Sequence, residues 1–492
     1  MKELANKVGP VEIIKKWGFI VALLGWFLYL VLPQGPGITF DSVSFLQISH
    51  HLIADGNYLH TGQNGLEFAS ERFPLYIWLI APFAKHKIAL IFIQTILFLG
   101  SLLALNRLIR QYHGSVFFLL FFGCYVFLAN YYSLWTEGLY GLLLLSIIGL
   151  ISNAPLKKNL RLLLLFMVLL CLTRLVGVVV GIALGLAYIL KKNNRTALLI
   201  FLSFFLSVLV YVLYSKFFHE SQARFIHYNP ITAQNWVSMP TEIGNFILPV
   251  QINATVRLFA GCILSLLPFI YLLAKTIKRK TIHVIDWFLC LHFYGYIAFI
   301  WICIAFIDAC IPVEFRTLFP LYINLLVFFI VASKSKIFHW KKASKLKFLF
   351  PVLVTLLFAF NATYLYQFSK VGTGYNSASW DEFSFTSEIE KIEADIIYTN
   401  DQAAVNYYSN YKKQVKLLNE KYNLHSLIVN SNYKTMHDEM IRHIQKTPGL
   451  KIIWVRNGIT ADIYPSYEEL KNDKRLNVLY DDWLCLILEG NY

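Results

Sequence analysis

The sequence predicts an all-α polytopic membrane protein with about eleven transmembrane helices and a small exported α/β domain at its C-terminus. Three observations predict it. Of the 492 residues, 57% are hydrophobic and only 15% are charged, far from the balance of a soluble domain. The apolar residues come in long blocks, and Lys and Arg gather at every second gap between them. After residue 366 the pattern changes to short apolar runs between polar stretches.

The blocks are residues 17–32, 88–105, 116–129, 139–151, 160–172, 176–190, 197–214, 258–274, 287–307, 318–331 and 348–366. Most approach the ~20 residues that a bilayer crossing needs, and the shorter ones extend with their polar flanks. The first lacks a small-residue cleavage site and reads as an anchor. With a cytoplasmic N-terminus, the inside gaps hold Lys15 and Lys16, Arg107 and Arg110, Lys157 and Lys158, Lys191 and Lys192, Lys275 to Lys280, and a cluster at 334–347. The outside gaps carry scattered basics such as Arg72, Arg224 and Arg316. That asymmetry is the positive-inside rule, which places the loops after residues 32, 214 and 307, together with the tail, outside a cytoplasmic membrane.

The net charge of +15 does not indicate a nucleic-acid partner. From Gln367 onward, 14 Lys and Arg face 17 Asp and Glu, so the excess lies on the membrane part, mostly on its cytoplasmic loops. Such charge beside an anionic leaflet sets topology and contacts membrane lipids. The seven cysteines are mostly apolar fillers within blocks, and no spacing of His and Cys suggests a metal site.

The chain divides into a membrane domain, 1–366, and an exported domain, 367–492. The outside loop 33–87 is too patterned for a mere connector. Phe45, Ile48 and Leu52 form an apolar stripe that predicts a helix over 42–54 lying on the membrane surface, with Asp41 as N-cap and Gly56 as its end. The stretch "HTGQNG" reads as a turn, and "ERFPLYIWLIAPF" as a short apolar piece opened by proline. In the tail, "ADIIYTN", "KQVKLLN", "LKIIWVRN" and "WLCLILEG" read as strands. "NYKTMHDEMIRHIQK" and "SYEELKNDKRL" read as the helices between them.

Charge within a bilayer is costly, so chemistry is expected where ionisable groups collect at the outer face. Those groups are Asp41, Glu71, Arg72, Glu137, Arg174, Asp308, Glu314 and Arg316. Carboxylates and arginines drawn from distant segments to one face suit a base with cationic clamps for an anionic leaving group. Each also has a plainer reading. Asp41 is a helix cap, worth ~1 kcal/mol. Glu137 and Arg174 are a structural pair, as are Glu314 and Arg316. His50 and His51 read as surface residues, with His50 retained as a candidate. Trp26, Tyr131, Tyr132 and Trp135 read as membrane-interface aromatics.

Five stretches carry a resemblance. "TFDSVSFLQISHHLIADGNY", "ERFPLYIWLIAPF", "LWTEGLYGLLLL", "LTRLVGVVVG" and "IPVEFRTLFPLYI" follow one another in order over residues 38–322. They resemble the motifs of the GT-C superfamily of integral-membrane glycosyltransferases, especially the branch of lipid A aminoarabinose transferases and protein O-mannosyltransferases. The resemblance implies an inverting glycosyltransferase that takes a sugar from a polyprenyl-phosphate carrier and gives it to a glycan, lipid or protein hydroxyl. It implies Asp41 as catalytic base, Glu137 as a second acidic residue, and Arg72, Arg174 and Arg316 as donor-phosphate ligands. Glu71, Glu314 and His50 are further possible contributors. Many members have a second acid after the first, where this chain has Ser42, and that departure argues against a divalent metal and leaves no cofactor expected. Two other functions compete. A flippase of lipid-linked sugar would place its charges mid-span in symmetric halves, and a non-catalytic scaffold would need no such array.

Overall fold

The computed structural model of the protein describes residues 10–62, 65–69, 72–152, 159–218, 228–334, 344–380, 385–422, 428–456 and 463–492. Among the described residues, the regular elements of the membrane part are helices apart from one hairpin. Its helices are α1 (Pro10–Val31), α2 (Phe40–Asp55), α3 (Pro74–Ile80), α4 (Lys87–Tyr112), α5 (Tyr125–Tyr132), α6 (Glu137–Ser152), α7 (Leu160–Thr173), α8 (Gly177–Leu190), α9 (Asn194–Phe218), α10 (Ala233–Gly244), α11 (Ala254–Ile277), α12 (Val284–Phe306), α13 (Phe319–Lys334) and α14 (Ser344–Val371). Strands β1 (Leu59–Gly62) and β2 (Gly65–Phe68) form the hairpin.

Among the described residues, five helices are long and apolar enough to cross a bilayer, and six further apolar helical segments are shorter. The short ones include α6, α7 and α8, which carry Glu137 and Arg174 at their ends. The chain is a multi-pass membrane protein. The block expected at 116–129 is not one helix. A 3-10 turn, Val116–Gly123, precedes α5, and the break at Cys124 turns the chain. Helices α1, α4, α5 and α13 close around aromatic side chains. Phe27 stacks on Phe98 at 4.7 Å, and Tyr131 meets Phe98 and Phe319 edge-on. Tyr131 and Tyr132 are buried, which corrects their reading as interface aromatics.

Helix α2 differs from its expectation as well. It begins at Phe40, its N-cap is Thr39 and not Asp41, and Gly56 ends it in the left-handed conformation. The Thr39 N–H donates to Ser42 Oγ at 3.0 Å, so the T-x-x-S pattern sets the helix start two residues earlier than the apolar stripe suggested. Residues Ser42 to Ser49 are all buried, so α2 is an internal wall, not a helix lying on lipid. Its small polar side chains make that packing possible: Ser49 bonds back to Phe45 O, and Gln47 pairs with Thr61.

The C-terminal part continues as α15 (Phe385–Lys391), β3 (Ile396–Thr399), α16 (Gln402–Tyr408), β4 (Gln414–Leu417), α17 (Tyr433–Lys446), β5 (Leu450–Val455), α18 (Tyr467–Lys471), β6 (Leu476–Asp481) and β7 (Cys485–Gly490). Its five strands order as β4-β3-β5-β7-β6, parallel on the first side and antiparallel on the other. Side chains alternate between faces, as strand geometry requires. Ile397, Ile453, Val455 and Ile487 join the core shared with the membrane helices. Tyr398, Ile452, Trp454, Leu486 and Leu488 join Met440, Ile441 and Ile444 of α17 in a separate core. The expected helix "SYEELKNDKRL" is shorter than it read. Ser466 and Glu469 box its start, Lys471 ends it, and β6 follows at once.

Candidate active site

Five charged side chains from five separate segments meet at one end of the bundle. Asp41 sits in the first turn of α2, where the helix dipole favours a carboxylate. Glu137 opens α6 in the same electrostatic setting. Arg174 follows the last residue of α7, where the dipole favours a cation. The turn from α7 to α8 is tight because a Cβ on Gly177 would sit 3.0 Å from Cys171 backbone atoms. Arg72 lies just ahead of α3, and its carbonyl accepts the Tyr58 hydroxyl at 2.9 Å. Arg316 lies on the turn into α13, where Tyr296 Oη donates to Thr317 O at 2.6 Å.

The five form a chain of alternating sign. Arg72 Nη1 bonds Asp41 Oδ1 at 2.6 Å, and Arg316 Nη2 bonds Asp41 Oδ2 at 2.5 Å. Arg316 Nε bonds Glu137 Oε1 at 2.9 Å, and Arg174 Nη1 bonds the same oxygen. Thr136 Oγ1 donates to the other Glu137 oxygen at 3.2 Å. The side chain of Glu137 is 1% exposed, whereas those of Asp41 and Arg316 are 20% and 21% exposed. Glu137 is therefore the buried anchor, and the other four members of the chain are partly exposed. Three guanidiniums against two carboxylates leave one positive charge in excess, a suitable seat for an anion.

Burial alone would raise the Asp41 pKa, but the Arg72 and Arg316 guanidiniums outweigh it and hold the carboxyl well below its usual range. Arg316 is held in turn: burial opposes its charge, and Glu137 and Asp41 more than restore it. Its guanidinium also lies 4.6 Å over the Trp135 ring, while that of Arg72 lies 5.5 Å over Phe45. Trp135 Nε1 donates to Thr39 Oγ1 at 2.7 Å, which ties the Arg316 platform to the cap of α2. Trp135 is thus a site residue that the sequence reading assigned to the membrane interface. Its place two residues before Glu137, between Ser133 and Thr136, was the available signal.

The remaining candidates stand apart from the ion chain. Glu314 is half-buried near Arg316. Burial raises its pKa, Arg316 opposes that, and Glu137 and Asp41 add to it. Glu242, toward the end of α10, is raised by burial too, with Glu314 contributing. Asp308 accepts the Cys310 N–H within its own turn. His50 is nine residues from Asp41, about 13 Å along α2, and its ring lies 5.9 Å from Tyr411. Glu71 lies outside the described residues. Among the described residues, no three His, Cys, Asp or Glu side chains gather in a way that could hold a metal ion.

No family model and no curated protein matches the chain. Its fold is nevertheless that of solved structures. It resembles ArnT from Cupriavidus metallidurans in the apo state, with a TM-score of 0.52 and 11% identity over 97% of each chain. It likewise resembles the same protein bound to undecaprenyl phosphate, with a TM-score of 0.50 and 10% identity, again over 97% of each chain. At that identity the likeness concerns fold. The polytopic, mostly helical membrane fold with a small C-terminal sheet is the fold class expected from the sequence.

Proposed function

We propose that the protein is an inverting glycosyltransferase that moves a sugar from a polyprenyl-phosphate carrier to an acceptor hydroxyl at the outer face of the cytoplasmic membrane. The observation that carries this reading is the alternating chain Arg72–Asp41–Arg316–Glu137–Arg174 at one end of the bundle. A polyprenyl-phosphate sugar is a phosphodiester with one negative charge. When the bond from its anomeric carbon to the phosphate oxygen breaks, the electron pair leaves with the phosphate, which gains a second charge. Guanidiniums held in place by the buried Glu137 and by Asp41 stabilise that charge without rearranging, which is where most catalytic power of such sites arises.

Asp41 is the base in this reading. It is ionised in the free site, as a base must be. Donor phosphate competes with it for Arg72 and Arg316, and a carboxylate that loses cationic partners gains proton affinity. The acceptor O–H then breaks toward Asp41 while its oxygen attacks the anomeric carbon opposite the departing phosphate, which inverts the centre. In this reading the carrier tail lies along an apolar cavity. A cavity of about 380 Å3 lies between α8 and α12, lined by apolar side chains such as Leu291 and Phe299. Its rim residues Ile182, Leu186 and Ile302 are exposed on the bundle surface. The fold likeness to a protein solved with undecaprenyl phosphate supports the same carrier class.

The test is sugar transfer in reconstituted membranes, with polyprenyl-phosphate sugars and a panel of glycan, lipid and protein acceptors. Asp41→Asn is compared with the unaltered protein at matched expression and thermal stability. A loss of ~100-fold or more with donor binding intact is the effect expected for a general base. Transfer at an undiminished rate would reduce Asp41 to an ion-pair residue and remove the base from this scheme.

A further inference from the structure

The segment that leads into Asp41 is held from the other domain. Ile38 N–H bonds Thr373 O at 3.2 Å, and Tyr375 N–H bonds Ile38 O at 2.7 Å. Asn376 Nδ2 donates to Pro36 O at 2.6 Å and to Gln34 O at 3.0 Å. On its other side the same segment pairs with the α5–α6 turn: Gly37 N–H bonds Tyr132 O, and Leu134 N–H bonds Gly37 O. Residues 34–38 are thus a rail between the outer turn that carries Trp135 and Glu137 and the segment that follows α14.

Tyr375 is fixed in turn by the C-terminal domain. Its hydroxyl donates to Asp401 at 2.9 Å, and its carbonyl accepts the Tyr408 hydroxyl. Asp401 is 3% exposed, and its Oδ1 caps α16 by accepting the Ala404 N–H at 3.0 Å. The same short helix reaches the back of α2: Asn406 Nδ2 donates to Thr61 Oγ1 at 3.0 Å, and Thr61 pairs with Gln47. Asp401, Asn406, Thr61 and Gln47 are all buried. Hydrogen bonds hidden from water have no replacement partner when broken, so they hold geometry firmly.

We propose that Tyr375 and Asp401 are positioning residues of the catalytic centre, which makes the C-terminal domain a working part of that centre. The contacts run without a gap. Asp401 holds Tyr375, Tyr375 holds Ile38, and the next residue, Thr39, both caps α2 and accepts from Trp135. Trp135 in turn supports the guanidinium of Arg316, which bonds Asp41 and Glu137. The proposal rests on the glycosyltransferase reading only for its kinetic consequence. The mechanical link stands on the geometry.

Tyr375→Phe removes one hydroxyl and leaves the fold its ring. Hydrogen–deuterium exchange on the full-length protein, which needs no activity, is the first measurement. The amides of residues 37–43 and 133–137 should exchange about tenfold faster in the variant, with those of β5 and β7 unchanged. Unaltered exchange at 37–43 would overturn the inference. In the transfer assay the variant should lose roughly tenfold in kcat with donor KM within about twofold. Asp401→Asn, which keeps both the cap and an acceptor for Tyr375, should retain most of the rate, whereas Asp401→Ala should not. Leu488→Ala, in the core on the far face of the sheet, serves as the control for general loosening. If it lowers kcat as much as Tyr375→Phe at equal loss of thermal stability, Tyr375 is merely structural. If the unaltered protein transfers no sugar, the functional reading fails while the exchange result still decides the link.

Discussion

Arg316 bonds Asp41 at 2.5 Å through Nη2 and Glu137 at 2.9 Å through Nε, so one guanidinium joins the accessible carboxylate to the buried one. Only a planar fork of donors can serve both, because an ammonium is a point charge on a flexible stem. Arg316→Lys keeps the charge yet has to choose between the two acids. Loss of one preorganised donor costs such sites about 100- to 1,000-fold in rate, and that loss in kcat/KM is expected here. Glu137 keeps Arg174, so the thermal midpoint should fall far less than rate does. A lysine variant that transfers sugar at the unaltered rate would mean that the bridge has no part in the chemistry.

Glu314 gives the site a pH signature. Its native pKa lies above the ordinary value of 4.5, so above that pH the folded state holds a proton that the unfolded chain has lost. Stability falls with pH wherever the folded state binds more protons. Asp41 works with the opposite sign, adding stability above its ordinary value that is lost only in acid. Glu314→Gln cannot ionise, so it should match the unaltered protein near pH 4 and become the more stable of the two as pH rises toward 8. Relief of Glu242, whose carboxyl Glu314 also disfavours, adds to the gain. Thermal unfolding across that range checks it, and parallel curves would refute it.

The sequence revealed the parts of this site better than their connections. Asp41, Arg72, Glu137, Arg174 and Arg316 were visible because few residues in so apolar a chain carry charge, and membrane energetics leaves those few at loop positions. That Arg316 would bridge Asp41 and Glu137 was not visible, since pairings across 179 residues leave no local pattern. Trp135 was misread because tryptophan at the end of an apolar run has a common, plainer use. The N-cap was misplaced because a strongly apolar stripe at Phe45 outweighed a capping pair at Thr39 and Ser42. Tyr375 and Asp401 were missed for the same reason as the Arg316 bridge: the Ile38 carbonyl lies more than three hundred residues away in sequence.

Two glycines separate the cost of an unusual backbone from the cost of a lost contact. Gly56 and Gly374 both have positive φ, at 70° and 67°. A Cβ on Gly56 meets nothing within 4 Å, so Gly56→Ala pays only for the left-handed conformation at the end of α2, about 1 kcal/mol. A Cβ on Gly374 would lie 1.9 Å from the Ile38 carbonyl oxygen and 2.7 Å from its carbon. The bridge between Ile38 and Gly374 cannot survive that approach. Gly374→Ala should therefore destabilise by roughly 2–3 kcal/mol, strain and lost bonds together. It should also slow transfer, because the displaced residue adjoins Thr39, while Gly56→Ala leaves the rate nearly unchanged. Thermal unfolding and transfer rates of the two variants decide the matter. Equal effects from both would show that backbone strain alone is at work and that the rail does not bear on Asp41.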